Sequence, residues 1–197
     1  MKIIGLTGNI ASGKTTVGNI LASLGATIVD CDGVSRQLVL PGEPCLEQIK
    51  EVFGSEYITA DGNLDRGKMA QNIFHNTQEK EKLESILHPA IIAEVKRQIE
   101  KNRKAGISCM VLEAPLLIEA GLTKLVDEVW LVLSNREEIL QRLEWYRGCS
   151  RKLGEKILSN QIPDDEKIPY AKVIIYNNGD MEKLSQQVKE HWQACLA

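Results

Sequence analysis

At 197 residues, with 43% hydrophobic and 26% charged residues, the chain has ordinary globular composition and enough apolar side chains for one substantial core. A formal net charge of −3 excludes the broad basic field that binding a nucleic-acid backbone requires, and five cysteines without a CxxC pair speak against a disulfide framework or a zinc ribbon. The apolar run Ile3 to Leu6 is too short for a signal-peptide core or a membrane span, so a cytoplasmic protein with reduced thiols is expected, with neither membrane nor nucleic acid as partner.

Short β-prone runs alternate with segments of helical period. The pattern predicts a strand at Lys2–Thr7, a helix at Lys14–Leu24 closed by Gly25, and a second strand at Ala26–Asp30. Helices follow at Leu46–Phe53, Arg66–Phe74, Glu79–Leu87 and Pro89–Ala105, with turn signals at Pro41-Gly42 and Asp61-Gly62. Strands at Cys109–Glu113 and Glu128–Leu133, helices at Arg136–Trp145 and Ser150–Asn160, a strand at Lys172–Tyr176 and a helix at Met181–Leu196 complete the chain. Such alternation predicts a three-layer α/β fold, a five-stranded parallel sheet with helices on both faces. Nearly eighty residues separate the second strand from the third, whereas a simple crossover needs about a dozen. The expected organisation is therefore a core of residues 1–33, 91–140 and 171–197, a helical acceptor-binding insertion at 34–90, and a small, highly charged helical lid at 141–170.

Gly8-Asn9-Ile10-Ala11-Ser12-Gly13-Lys14-Thr15 matches GxxxxGK[ST], after a strand and before an amphipathic helix, so the expected three-layer fold is of the P-loop NTPase/kinase kind. Glycines let successive amide hydrogens point inward, and the following helix adds its positive dipole end, so the turn can cradle phosphate oxygens. Lys14 then reaches the β- and γ-phosphates, the Thr15 hydroxyl ligates the Mg²⁺ that arrives with ATP, and Thr16 contacts the α-phosphate.

P-loops serve kinases, GTPases and motors alike. The chain has no NKxD guanine motif, and carries Asp30-Cys31-Asp32 at the predicted end of the second strand. Strand alternation would put Asp30 and Asp32 on one side, one to take a proton from an acceptor hydroxyl and the other to orient substrate or magnesium. The plain alternative is a solvated turn at Asp32-Gly33.

The strings GLTGNIASGKTTV and LGATIVDCD resemble the opening of the dephospho-CoA kinase family. Further likenesses follow in order: Pro41-Gly42, Phe53-Gly54, Gly62 to Arg66 with Phe74, Leu87-His88-Pro89, Pro115-Leu116-Leu117 with Glu119, Gln141-Arg142-Leu143, Gln161, Tyr170-Ala171 and Asn177-Asn178-Gly179. The resemblance implies ATP and dephospho-CoA as ligands, with Asp32 as general base for the ribose 3′-hydroxyl and Lys14 stabilising the transferring phosphoryl group. It places Arg66 and a His88-Pro89 corner at the acceptor, although His88 before Pro89 also reads as a helix cap. Pro115 and Leu116 are assigned to the acceptor side too, while Pro115-Leu116-Leu117 equally reads as packing. Glu113 or Asp30 would hold a magnesium-bound water, and Asn177 and Gly179 would form the adenine-side loop, unless they are a plain turn. Arg142, Arg147 and Arg151 are the candidates for the lid arginine that stabilises charge on the phosphoryl group.

Asn9 and Ala11 replace glycines common in the family, and Tyr146 stands where the family usually has an arginine. Another nucleotide or nucleoside kinase, similar to adenylate kinase, is the alternative enzyme, and a nucleotide-dependent binding switch the alternative without catalysis. A monomer is expected, with an oligomer left open.

Overall fold

Five runs rich in Ile, Val and Leu pair as one parallel sheet in the computed structural model, which describes residues 1–196 apart from the side chains of His75, Arg147 and Leu196. The strands are β1 (Lys2–Thr7), β2 (Thr27–Asp30), β3 (Cys109–Glu113), β4 (Glu128–Leu133) and β5 (Val173–Tyr176). Their order is β2-β3-β1-β4-β5. Strands buried on both faces need unbroken apolar runs, which explains why β1, β3 and β4 lack polar alternation.

The helices are α1 (Lys14–Ser23), α2 (Cys31–Gln37), α3 (Pro44–Phe53), α4 (Arg66–His75), α5 (Thr77–Lys104), α6 (Arg136–Arg147), α7 (Arg151–Ser159), α8 (Asp164–Lys167) and α9 (Met181–Leu196). The chain divides into two compact units, one of residues Met1–Asp30 with Asn102–Ala197, the other of Cys31–Lys101.

In the sheet unit, period-two positions Ile4 and Leu6, Cys109 and Val111, Trp130 and Val132, and Ile175 form one cluster with Val17 and Leu21 of α1 and Leu184, Val188 and Trp192 of α9. Burying each such side chain contributes about 1.5–3 kcal/mol, so this layer fixes where α1 begins over the sheet. Helix α7 packs on α6 through Gly154, whose missing Cβ would lie 3.1 Å from Leu140 and 3.3 Å from Leu143.

The helical unit has its own core of Val39, Cys45, Leu46, Ile49, Phe53, Met69 and Leu83. Pro44 opens α3 at a position where its missing N–H costs nothing, two residues before the predicted start. Asp65 caps α4 by accepting from the Lys68 amide at 2.9 Å. The Asp61-Gly62 turn closes between Thr59 and Asn63, with Ile58 bridged to Leu64.

Two expectations about local structure are corrected. The predicted break at His88-Pro89 does not occur, because α5 runs continuously from Thr77 to Lys104 with Pro89 inside it. A proline there removes a single backbone donor, while apolar residues on either side, Leu83, Val95 and Ile99, are buried and hold the helix. The Asp30-Cys31-Asp32 string is not all strand: β2 ends at Asp30 and α2 starts at Cys31, so strand alternation does not relate the two aspartates. In the sheet, β3 lies between β1 and β2 and brings Glu113 level with both Asp30 and Leu6.

Candidate active site

The turn after β1 is built by backbone that only small residues tolerate. Gly8 and Gly13 have φ of 149° and 99°, and Ala11 is a non-glycine residue with positive φ, at 57°. A Cβ on Gly8 would meet the Val132 carbonyl, and one on Gly13 would fall on the Asn177 side-chain amide. Glycine is therefore required at both positions for closeness as well as for φ.

Lys14, 7% exposed, folds back so that Nζ donates to the Gly8 carbonyl at 3.0 Å and the Asn9 carbonyl at 2.9 Å. Its ammonium thus lies against the turn that contains it. The Ser12 hydroxyl oxygen is buried with no hydrogen-bond partner among the described residues. Thr16, in the first turn of α1, is half-buried.

Thr15 Oγ1 donates to Glu113 Oε1 at 2.7 Å, joining the start of α1 to the end of β3. Gly18, one turn further along α1, makes room for that carboxylate: a Cβ there would lie 2.9 Å from Glu113 Oε2. Because Asp30 stands opposite Glu113 in the register, three oxygen-bearing side chains occupy one edge of the sheet. Hard oxygen donors of this kind fit Mg²⁺, which takes one or two protein ligands and completes its shell with water and phosphate. No cluster of three His, Cys, Asp or Glu capable of holding a metal without such help occurs among the described residues.

Arg142 and Asn177 support the turn by its carbonyls. Arg142 Nη1 donates to the Ala11 carbonyl at 3.3 Å and to Ser134 Oγ at 3.0 Å, while Nη2 donates to the Asn177 carbonyl at 2.9 Å and Glu138 at 3.2 Å. The Asn177 side-chain amide donates to the Ser12 carbonyl at 2.8 Å. Arg151, by contrast, is paired with Glu137 at 2.6 Å, and the side chain of Arg147 lies outside the described residues. Gly179 is exposed beyond the end of β5.

Pro115 and Leu116 follow β3. Pro115 is half-buried and its carbonyl accepts from Thr7 Oγ1 at 3.3 Å, Leu116 is 42% exposed, and Leu117 is fully buried. Of the residues in the helical unit, Asp32 is exposed in the first turn of α2. Arg66 is exposed too, and its Nη2 donates to the carbonyl of Arg36 near the end of α2, at 3.3 Å. His88 is half-buried within α5.

A second set of contacts on the turn was not predicted. The Ile10 amide donates to Gln161 Oε1 at 2.9 Å, Asn9 Nδ2 donates to Asp164 Oδ1 at 2.8 Å, and Lys167 Nζ donates to Asn9 Oδ1 at 2.5 Å. Burial pushes the Lys167 ammonium down from its ordinary pKa, against the upward pull of Glu119 and Asp164. Burial likewise pushes Asp164 up, with Lys167 opposing it. The available signal was Pro163 followed by three acidic residues, a helix-start pattern, but nothing in it pointed to Asn9.

A glycine-built turn at the carboxyl edge of β1, with a lysine folded into it and a carboxylate on the adjacent strand, defines a P-loop enzyme of the kinase type. The family profile described as dephospho-CoA kinase matches residues 2–183, and the chain belongs to that family. The chain is 40% identical over 188 residues to the dephospho-CoA kinase of Carboxydothermus hydrogenoformans, covering 95% of this chain and 91% of that one. It also resembles a Thermus thermophilus protein of solved structure at 30% identity and TM-score 0.83, covering 100% of this chain and 98% of that one. The dephospho-CoA kinase of Campylobacter jejuni matches at 27% identity and TM-score 0.72, with 98% and 96% coverage. No described helix is long and apolar enough to cross a membrane.

Proposed function

We propose that the protein phosphorylates the ribose 3′-hydroxyl of dephospho-CoA with ATP, giving coenzyme A and ADP. Family membership supports the acceptor, and the observation that carries the chemistry is the glycine-built turn with Lys14 folded onto it. The amides of the turn bind the triphosphate, and Lys14 swings from the Gly8 and Asn9 carbonyls onto the β- and γ-phosphate oxygens. The Ser12 hydroxyl, buried and unpartnered, is a further donor for a phosphate oxygen.

Asp32 takes the proton of the 3′-hydroxyl as its oxygen forms the new bond to the γ-phosphorus. The bond from that phosphorus to the β,γ-bridging oxygen breaks in line, and ADP leaves with the electron pair. Thr15, with Glu113 or Asp30, would hold a magnesium ion arriving with the nucleotide, which would supply neutralisation of the charge on the phosphates. Arg142 keeps the turn in shape through the Ala11 and Asn177 carbonyls and adds positive charge beside it. Gly179, together with Asn177, lies on the adenine side. Arg66, His88, Pro115 and Leu116 serve the acceptor. The charged segment 141–170 acts as a lid that excludes water, which would otherwise compete with the acceptor hydroxyl.

An acceptor panel tests this reading. The protein is incubated with Mg·ATP and, separately, dephospho-CoA, AMP, TMP and nucleosides, and products are followed by mass spectrometry. Selective conversion of dephospho-CoA is expected. Preferential phosphorylation of AMP or a nucleoside would assign the enzyme to a different acceptor.

A further inference from the structure

Lys167 is 1% exposed, an ammonium group taken almost wholly out of water. Burying such a charge costs several kcal/mol unless strong partners compensate, and an apolar side chain of similar size would fill the same space at less cost. Its hydrogen-bond partner is not a carboxylate but the Asn9 side chain, at the start of the phosphate-binding turn.

Asn9 is itself 8% exposed and held at both ends. Its oxygen accepts from Lys167, and its nitrogen donates to Asp164. Only one orientation of the amide satisfies a donor on one side and an acceptor on the other, so the pair fixes how Asn9 sits. The next residue is also tied, because the Ile10 amide donates to Gln161. Two consecutive residues of the turn are therefore bound to the segment from Gln161 to Lys167.

We propose that Lys167, acting through the Asn9 side chain, is a positioning residue that holds the start of the phosphate-binding turn in its nucleotide-ready shape. Because the affinity observed for a ligand falls in proportion to the fraction of protein already in the competent conformation, a loosened turn binds ATP more weakly without losing any contact to it. Glu119 and Asp164 supply the negative charge that lets the ammonium remain buried. The proposal rests on the turn being the ATP site.

The test is a double-mutant cycle on the full chain, with Mg·ATP affinity read by calorimetry and KM measured separately for ATP and dephospho-CoA. Asn9→Ala and Lys167→Met should each weaken ATP binding roughly ten-fold, the weight of one charge-assisted hydrogen bond, and leave the KM for dephospho-CoA unchanged. The double variant should be no weaker than Asn9→Ala alone, since that substitution already removes the tie to Lys167 together with the one to Asp164. Single variants that bind ATP like the wild type, or losses that multiply in the double variant, would overturn the proposal. Should Lys167→Met fail to fold, Asn9→Ala decides alone, with unchanged ATP affinity overturning the proposal and a selective loss supporting it. A wild-type protein that takes up no ATP would remove both this proposal and the assignment of the turn, whereas wild-type uptake with unaltered variants removes only the role of Lys167.

Discussion

The Thr15 hydroxyl donates to the Glu113 carboxylate across 2.7 Å, though 98 residues separate them in the chain. Parallel pairing of β1 with β3 makes this meeting possible, because it sets Glu113 opposite Leu6, at the end of the strand that leads into the phosphate-binding turn. The pair orients the threonine oxygen that would face magnesium. Thr15→Ala should raise the magnesium concentration needed for half-maximal activity by about ten-fold or more, and Glu113→Gln should do so less severely, as expected when a ligand and its supporting partner are removed in turn. Titrating Mg²⁺ at fixed ATP measures both. Identical magnesium curves for all three proteins would take the pair out of the metal site.

Gly13→Ala tests the shape of the turn. Its φ of 99° already costs a side chain about 1–2 kcal/mol, and the added methyl group would also displace the Asn177 amide from the Ser12 carbonyl. The variant should fold, with its melting temperature lowered by several degrees, and should lose most of its ATP affinity. Calorimetry alongside thermal unfolding separates the two effects. Wild-type affinity would mean that this backbone geometry is not needed for nucleotide binding.

Much of this was legible before any coordinates. The GxxxxGK[ST] string announces its own geometry, because glycine positions, helix start and lysine reach are all local. All five predicted strands are observed within one residue at their ends. What stayed hidden depends on long-range order. Nothing in the residues says that β3 inserts between β1 and β2, so Glu113 could not be ranked above Asp30 as the neighbour of Thr15. Asp32 looked like a strand or turn residue because Asp-Gly pairs favour turns, yet burial of Cys31 and Val34 draws the segment into α2. Pro89 looked like a helix start and is internal, because a proline's local penalty is outweighed by the packed helix around it. Asn9 read as a variable position of the motif. Its role appears only when Asp164 and Lys167, more than 150 residues later, fold against it.

At the opposite end of the strands, Glu128 is a structural charge. Its side chain is only 2% exposed, and burial alone would raise its pKa. Hydrogen bonds from Lys172, Trp130, Lys2 and Cys195 outweigh that and hold it down to about 2, against an ordinary value of 4.5. A depressed carboxylate stabilises the fold fully above pH 4.5, and that contribution is lost as the pH falls toward 2. Its size is on the order of 3 kcal/mol. Glu128→Gln should therefore lower the melting temperature at pH 7 and reduce the acid sensitivity of the protein between pH 4.5 and 2. Denaturant unfolding of both proteins across that range checks it, and parallel pH profiles would contradict it.

Asp32 and Lys14 should separate chemistry from binding. Asp32→Asn removes a proton acceptor and should lower kcat roughly 10²- to 10⁴-fold with ATP affinity nearly unchanged, whereas Lys14→Ala should damage both. Steady-state kinetics with calorimetric ATP affinities distinguishes them. Unchanged turnover in Asp32→Asn would exclude Asp32 as the base.

The most direct test follows the phosphoryl group itself. With ATP carrying a labelled γ-phosphate, magnesium and dephospho-CoA, the label should appear as a phosphate ester on the 3′-oxygen of the acceptor, with one ADP formed for each coenzyme A. Label released only as inorganic phosphate, or remaining on ATP while acceptor is present, would contradict the account.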